Sequence, residues 1–223
     1  MPVPDITYFG EKPEGGGIQY GEVRQIIDEQ RKLLILKGRI DTLLIGQIDQ
    51  LCLTNDDGNL KVYSPFPLTV LTLLSIETLG HIINDIDKIK EANDYEQSKA
   101  IVTPVYQLMD TKLSYKPSKD FYKSFEKLHG KDDKKSIKKY SDVIHKYQRN
   151  TFNHGYQSRG VFLTETINQA ITIDNESGCL YINPYSFWEL YKTTQDYVFE
   201  QILNSKRKEW RQNALKYFQR LIS

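Results

Sequence analysis

Residues 67–83, PLTVLTLLSIETLGHII, form the most apolar run in the chain. A run of this length has to be enclosed by protein or by lipid, and that requirement governs what the other segments must supply. Glu77, His81 and several hydroxyls interrupt it, which favours a helix buried in a protein core over a membrane span. Pro67 suits the first turn of such a helix. The periodicity predicts a central helix from about Leu68 to Asp87, with Leu71, Leu74, Leu79, Ile82, Ile83 and Ile86 available to the core.

The flanking segments offer the amphipathic faces this helix needs. Gly21–Leu36, with Val23, Ile26, Ile27, Leu33 and Leu34, reads as one helix, and Ile40–Leu53 as a second. Asn55-Asp56-Asp57-Gly58-Asn59 is turn chemistry, joining either a small hairpin or a plain loop. Asp94–Leu113 predicts a shorter helix with Pro104 as a point of interruption, and Ser118 caps the next, Lys119–Leu128. His129 to Lys135 is polar and charged and reads as a loop, after which Ser136 opens a helix carrying Ile137, Tyr140, Ile144 and Tyr147.

Beyond Gly155 the pattern changes to β-branched and aromatic residues. Gly160–Leu163, Ala170–Ile173 and Leu180–Ile182, with turn chemistry at 174–178, predict a hairpin. Pro184 then starts a helix whose Trp188, Tyr191, Gln195, Val198 and Ile202 share one face. Lys206–Ile222 extends it, with an apolar stripe and a basic surplus; it could cover the core, pair with a second subunit or touch RNA. The expectation is a mainly α bundle with one small β-hairpin, divided into a flexible tail (residues 1–20), a helical domain (21–205) and a basic helical extension (206–223). The triplet Gly15-Gly16-Gly17 lacks a following Lys-Ser/Thr, so it is no phosphate loop.

One stretch reads as chemistry: Arg149-Asn150-Thr151-Phe152-Asn153-His154-Gly155-Tyr156. On a helix, Asn150 and His154 share a face, as do His145 and Arg149. A permanent cation, an amide and a titratable imidazole at one helix end suit phosphodiester cleavage without a metal. The same spacing also suits a helix-end salt bridge with a His capping its own helix. The surrounding charge is uneven. Lys112 to Arg159 holds thirteen Lys and Arg against five Asp and Glu; with a net charge of +1 overall, the remainder carries −7. That favours a polyanion partner, and Lys138, Lys139, Lys146 and Arg159 are candidates to hold an RNA backbone. A solvated lysine-rich face is the plainer alternative. Cys52 and Cys179 show neither metal spacing nor a disulfide framework and fit a reducing cytoplasm. The histidines 81, 129, 145 and 154 show no zinc spacing, so no metal or other cofactor is expected. His81 reads as a core residue, His129 as solvent-facing, and His145 as a boundary residue or a support for Arg149. The chain start lacks a basic segment followed by an apolar run, so no signal peptide is expected.

Arg149-Asn150, three further residues and His154 resemble the signature of the HEPN superfamily, in which an Arg and a polar residue precede a His. Leu180-Tyr181-Ile182-Asn183-Pro184 ahead of an amphipathic helix is similar to the last core helix of bacterial HEPN ribonucleases and abortive-infection proteins. The likeness covers roughly residues 120–205. It implies a metal-independent endoribonuclease of toxin–antitoxin or anti-phage systems, working as a homodimer with a composite site. Arg149 and His154 would be its catalytic pair, with Asn150 as their polar neighbour. Arg149, His154 and Tyr156 also resemble HEPN toxins whose tyrosine is adenylylated by a nucleotidyltransferase antitoxin, although a hairpin follows here in place of a direct helix. The family equally includes non-catalytic modules that bind RNA, nucleotide or a partner protein in a defence complex.

Overall fold

The computed structural model describes residues 3–52, 64–89, 93–146 and 160–223. It is mainly helical, and the chain divides into two compact units. The first unit comprises residues up to 64, 78–88 and 192–223; the second comprises 65–77 and 89–191.

In the first unit, β1 (Tyr8–Glu11) and β2 (Gly17–Gln19) form an antiparallel hairpin where the sequence suggested a loose tail. Gly15 and Gly16 turn the chain with φ of 97° and 81°, a region that strains any side chain. Phe9 is fully buried, edge-on to Tyr20 and Phe218, and the Arg39 guanidinium lies 4.5 Å from its ring centroid. One buried aromatic ring thus anchors a hairpin whose strands are too short to display a readable alternation.

The single helix expected over Gly21–Leu36 is two, α1 (Tyr20–Arg24) and α2 (Glu29–Ile40). Asp28 divides them by accepting the Arg31 N–H at 2.6 Å as the N-cap of α2. Ile27, in the connection, is 90% exposed rather than part of the core. A π-turn (Asp41–Ile45) leads into α3 (Gly46–Asp49). The C-terminal helix α10 (Lys208–Ile222) belongs to this unit. It buries Ala214, Phe218 and Ile222, and Asn213 donates to the Ile83 carbonyl at 2.9 Å.

The apolar run forms α4 (Pro65–Ile83), which contributes residues to both units. It is long and apolar enough to cross a membrane by length and composition. Here Leu68 and Ile76 are buried in the second unit, and Leu79, Ile82 and Ile83 in the first. The hydroxyls of Thr69, Thr72 and Ser75 each donate to the carbonyl four residues earlier, at 2.7–2.8 Å, so their burial leaves no donor unmet. Leu74 departs from the expected core set and is 51% exposed.

The second unit continues with α5 (Asp94–Met109), capped by Asn93 and carrying Pro104 inside it. Next come α6 (Lys119–His129), capped by Ser118, and α7 (Lys131–Ser136), a short helix where a loop was expected. Residues 140–146 are helical (α8). The expected hairpin is present as β4 (Ile171–Asp174) antiparallel to β5 (Cys179–Ile182). A further strand, β3 (Val161–Leu163), adds in parallel to the other edge of β5, giving the order β3-β5-β4. Central β5 buries Leu180 and Ile182 completely. Gly178 presses the β4–β5 turn against α6: at φ 70°, a Cβ there would lie 2.4 Å from the Phe125 nitrogen.

Asn183 then caps α9 (Pro184–Leu203), accepting the Ser186 N–H at 3.0 Å while donating to the Ile167 carbonyl at 2.8 Å. All five residues expected on the inner face of α9 are buried.

Candidate nucleic-acid interface

The catalytic candidates Arg149, Asn150 and His154, the candidate modification site Tyr156 and the RNA-binding candidate Arg159 lie outside the described residues, as does the core candidate Tyr147. The chain that leads to them is described, and it is anchored by a residue that periodicity passed over. Asp142, on the first turn of α8, is almost fully buried. Its Oδ2 accepts the backbone N–H groups of Lys138 (2.7 Å) and Lys139 (2.9 Å), while Oδ1 lies 3.2 Å from the Lys99 ammonium of α5. One carboxylate therefore satisfies two donors at the start of α8 and pairs with a cation on a neighbouring helix. Nothing in the local pattern distinguishes Asp142 from a solvated acid, because its partner is 43 residues away.

His145, read as a boundary or supporting residue, is 6% exposed, its ring centroid 5.0 Å from that of Tyr95. Tyr140 is in the core as expected; its hydroxyl accepts the Ser118 N–H and donates to Asn175. His81 is half-buried rather than deep in the core. His129, expected in solvent, is also half-buried, its ring 4.3 Å from Phe125.

The structure separates the three described lysines proposed to hold RNA. Lys146 is tied to Asp133 (2.7 Å) and donates to the Ser136 hydroxyl (2.8 Å), so its charge is committed inside the unit. Lys139 is half-buried and Lys138 exposed.

A more concentrated positive surface lies beside them. Lys116, Lys119, Lys131, Lys134 and Lys135 line an open pocket of about 570 Å³ with Tyr122 and Glu126. Lys134 bonds Glu126 at 2.5 Å and sits 5.9 Å from the Tyr122 ring centroid; Lys135 pairs with Asp132 at 3.0 Å. Among the described residues no carboxylate stands within ion-pair distance of Lys116, Lys119 or Lys131. The Lys134 hydrogen bond holds Glu126 below the ordinary glutamate range, so the one lining acid stays ionised and the surplus remains cationic. Tyr122 fixes the floor of the pocket by donating to the Ile137 carbonyl at 2.8 Å. The legible signal was the spacing 131, 134, 135, which places three ammoniums on one face of α7. The contribution of Lys116 and Lys119 depends on how the chain returns along α6.

The other basic run behaves differently. On and before α10, Lys216 pairs with Asp85 (2.9 Å), Arg220 with Asp87 (2.7 Å), Arg211 with Glu29 (3.6 Å) and Lys206 with Glu200 (2.8 Å). Arg207 lies over the Trp210 ring at 5.3 Å. Four of its cations thus face carboxylates of their own unit.

Among the described residues, no three His, Cys, Asp or Glu side chains converge as a metal-binding group would. Comparison of the chain with protein-family models, with curated proteins and with solved structures finds no match.

Proposed function

We propose that the chain is a metal-independent endoribonuclease of HEPN type, acting as a homodimer in toxin–antitoxin or anti-phage defence in the cytoplasm. The observation that carries the RNA part is the five-lysine pocket between α6 and α7, in which three ammoniums have no described carboxylate within ion-pair distance. A surface of this kind attracts a phosphate backbone without selecting its sequence. The chemistry rests on the sequence motif that follows α8. His154 takes the proton of a ribose 2′-hydroxyl or gives one to the departing 5′-oxygen, Arg149 neutralises the phosphate between them, and Asn150 orients the pair. The 2′-oxygen forms a new bond to phosphorus as the bond to the 5′-oxygen breaks. The products are a 2′,3′-cyclic phosphate and a 5′-hydroxyl.

The test is cleavage of labelled RNA in EDTA by the wild type, His154→Ala and Arg149→Ala, with end-group analysis. Loss of cleavage in both variants and cyclic phosphate ends are expected. Equal activity in the wild type and His154→Ala would remove His154 from the mechanism. A second reading, an RNA-binding module without turnover, rests on the same observation, because the lysine pocket accounts for binding by itself. Wild-type binding without cleavage, at any RNA concentration, would select it.

A further inference from the structure

We infer that the outer face of the β3-β5-β4 sheet is a seat for one unpaired nucleobase of a single-stranded polynucleotide. Alternate residues of a strand face opposite sides of a sheet. On the inner side, Val161, Leu180, Ile182 and Ile171 are buried in the unit. On the other side, the register partners Phe162 and Tyr181 stack with ring centroids 5.6 Å apart and planes 27° from parallel. Phe162 is 45% exposed and Tyr181 half-buried, so the pair forms an aromatic step that the fold leaves open.

Leu128 and His129 from the end of α6, with Gly160, Ser177 and Cys179, join these rings around a cavity of about 640 Å³. That size is typical of small-ligand pockets. Among the described residues the lining contains no Lys, Arg, Asp or Glu, so these walls offer no ionic partner to a phosphate or an ammonium. What fits is a flat, uncharged ring edged with hydrogen-bonding atoms. The Tyr181 hydroxyl supplies one polar contact, and the Ser177 hydroxyl, which donates to Asp174 at 2.7 Å, can still accept. Burial pushes the Cys179 thiol up, so it stays protonated as part of the floor.

The seat is held in shape before any ligand arrives. A Cβ on Gly160, at φ 90°, would lie 2.9 Å from His129 Nε2, so only glycine lets the imidazole close against β3. Gly178 does the same for the turn against α6. Exposed aromatic rings on a sheet are a recurring platform for unpaired bases. The inference rests on the polynucleotide reading only for the strand to which the base belongs.

The test uses the full chain and three probes: a single-stranded RNA containing 2-aminopurine, an abasic RNA of the same length, and free adenosine. The wild type should quench 2-aminopurine on binding and prefer the base-containing strand. Phe162→Ala should remove the quench and weaken that strand about tenfold, leaving the abasic strand unaffected. Phe162→Tyr should restore both, which separates stacking from misfolding. A Lys116→Gln/Lys119→Gln/Lys131→Gln variant should weaken both strands and keep the quench at saturation. Equal binding of the two strands without quenching would overturn the base seat and leave the polynucleotide reading intact. If neither strand binds, the polynucleotide reading fails, and the base seat survives only if adenosine perturbs the Tyr181 ring resonances in the wild type and not in Phe162→Ala. A dimer that dissociates on Phe162→Ala, with quenching unchanged, would also overturn the seat and assign this face to a second copy of the chain.

Discussion

The chain has two lysine- and arginine-rich regions, α10 with its approach and the α6–α7 face, and their charges have different fates. Around α10, Asp85, Asp87, Glu29 and Glu200 each meet a cation. On α6–α7 the pocket cations outnumber their acids, and no described carboxylate lies within ion-pair distance of Lys116, Lys119 or Lys131. Both regions look basic when residues are counted. Only the carboxylates that other segments bring alongside decide which one can still attract a polyanion.

Mutations can break that comparison in order of size. The largest effect is expected from Asp142→Ala, beside the lysine-rich face. It would leave the mostly buried Lys99 ammonium unpaired and two backbone donors at α8 unmet, at a cost of about 3–5 kcal/mol. Urea denaturation measures it, and a loss below about 1 kcal/mol would mean the pair is wetter than its burial indicates.

Next comes RNA binding. Replacing Lys116, Lys119 and Lys131 by Gln should lower the slope of log affinity against log salt by about 2, as expected for three single-strand phosphate contacts. Lys216→Gln/Arg220→Gln should leave it unchanged, because those charges already face Asp85 and Asp87. Equal losses from both sets would erase the distinction between the regions.

A smaller effect concerns acid stability. The Lys216 hydrogen bond holds Asp85 below the ordinary aspartate range. A carboxylate depressed in the folded state contributes stability above its unfolded pKa, near 4, and loses it as pH falls through the folded value. Lys216→Gln should therefore lower the melting temperature at pH 6 and converge with the wild type toward pH 3. The smallest effect is expected from Lys146→Gln, which removes a half-screened pair with Asp133 and should cost under about 1 kcal/mol in thermal denaturation.

Much of the helical framework could be read from periodicity. The inner face of α9 recurs at three and four residues, and every member is buried. Ser118 ahead of α6 caps as its chemistry predicts, and α9 begins at the expected Pro184. The N-terminal hairpin was illegible because strands of four and three residues are held by Phe9 meeting Tyr20 and Phe218, the latter 209 residues away. Leu74 was misplaced for a related reason. On a helix with few polar residues, nothing local says which face the neighbours leave open. The candidate site was legible as a motif and a charge surplus, but Asp142 and Lys99, which anchor the approach to it, become partners only through the fold.

The sequence by itself determined the helical character, the Ser118 cap, the β4–β5 turn and the concentration of charge around residues 112–159, because propensity, capping and turn chemistry act over a few residues. Tertiary structure decided the parallel addition of β3, the aromatic step of Phe162 and Tyr181, and which cations keep their charge outward. Strand order and ion pairing depend on which distant segments come within a few ångströms, and no local pattern encodes that distance.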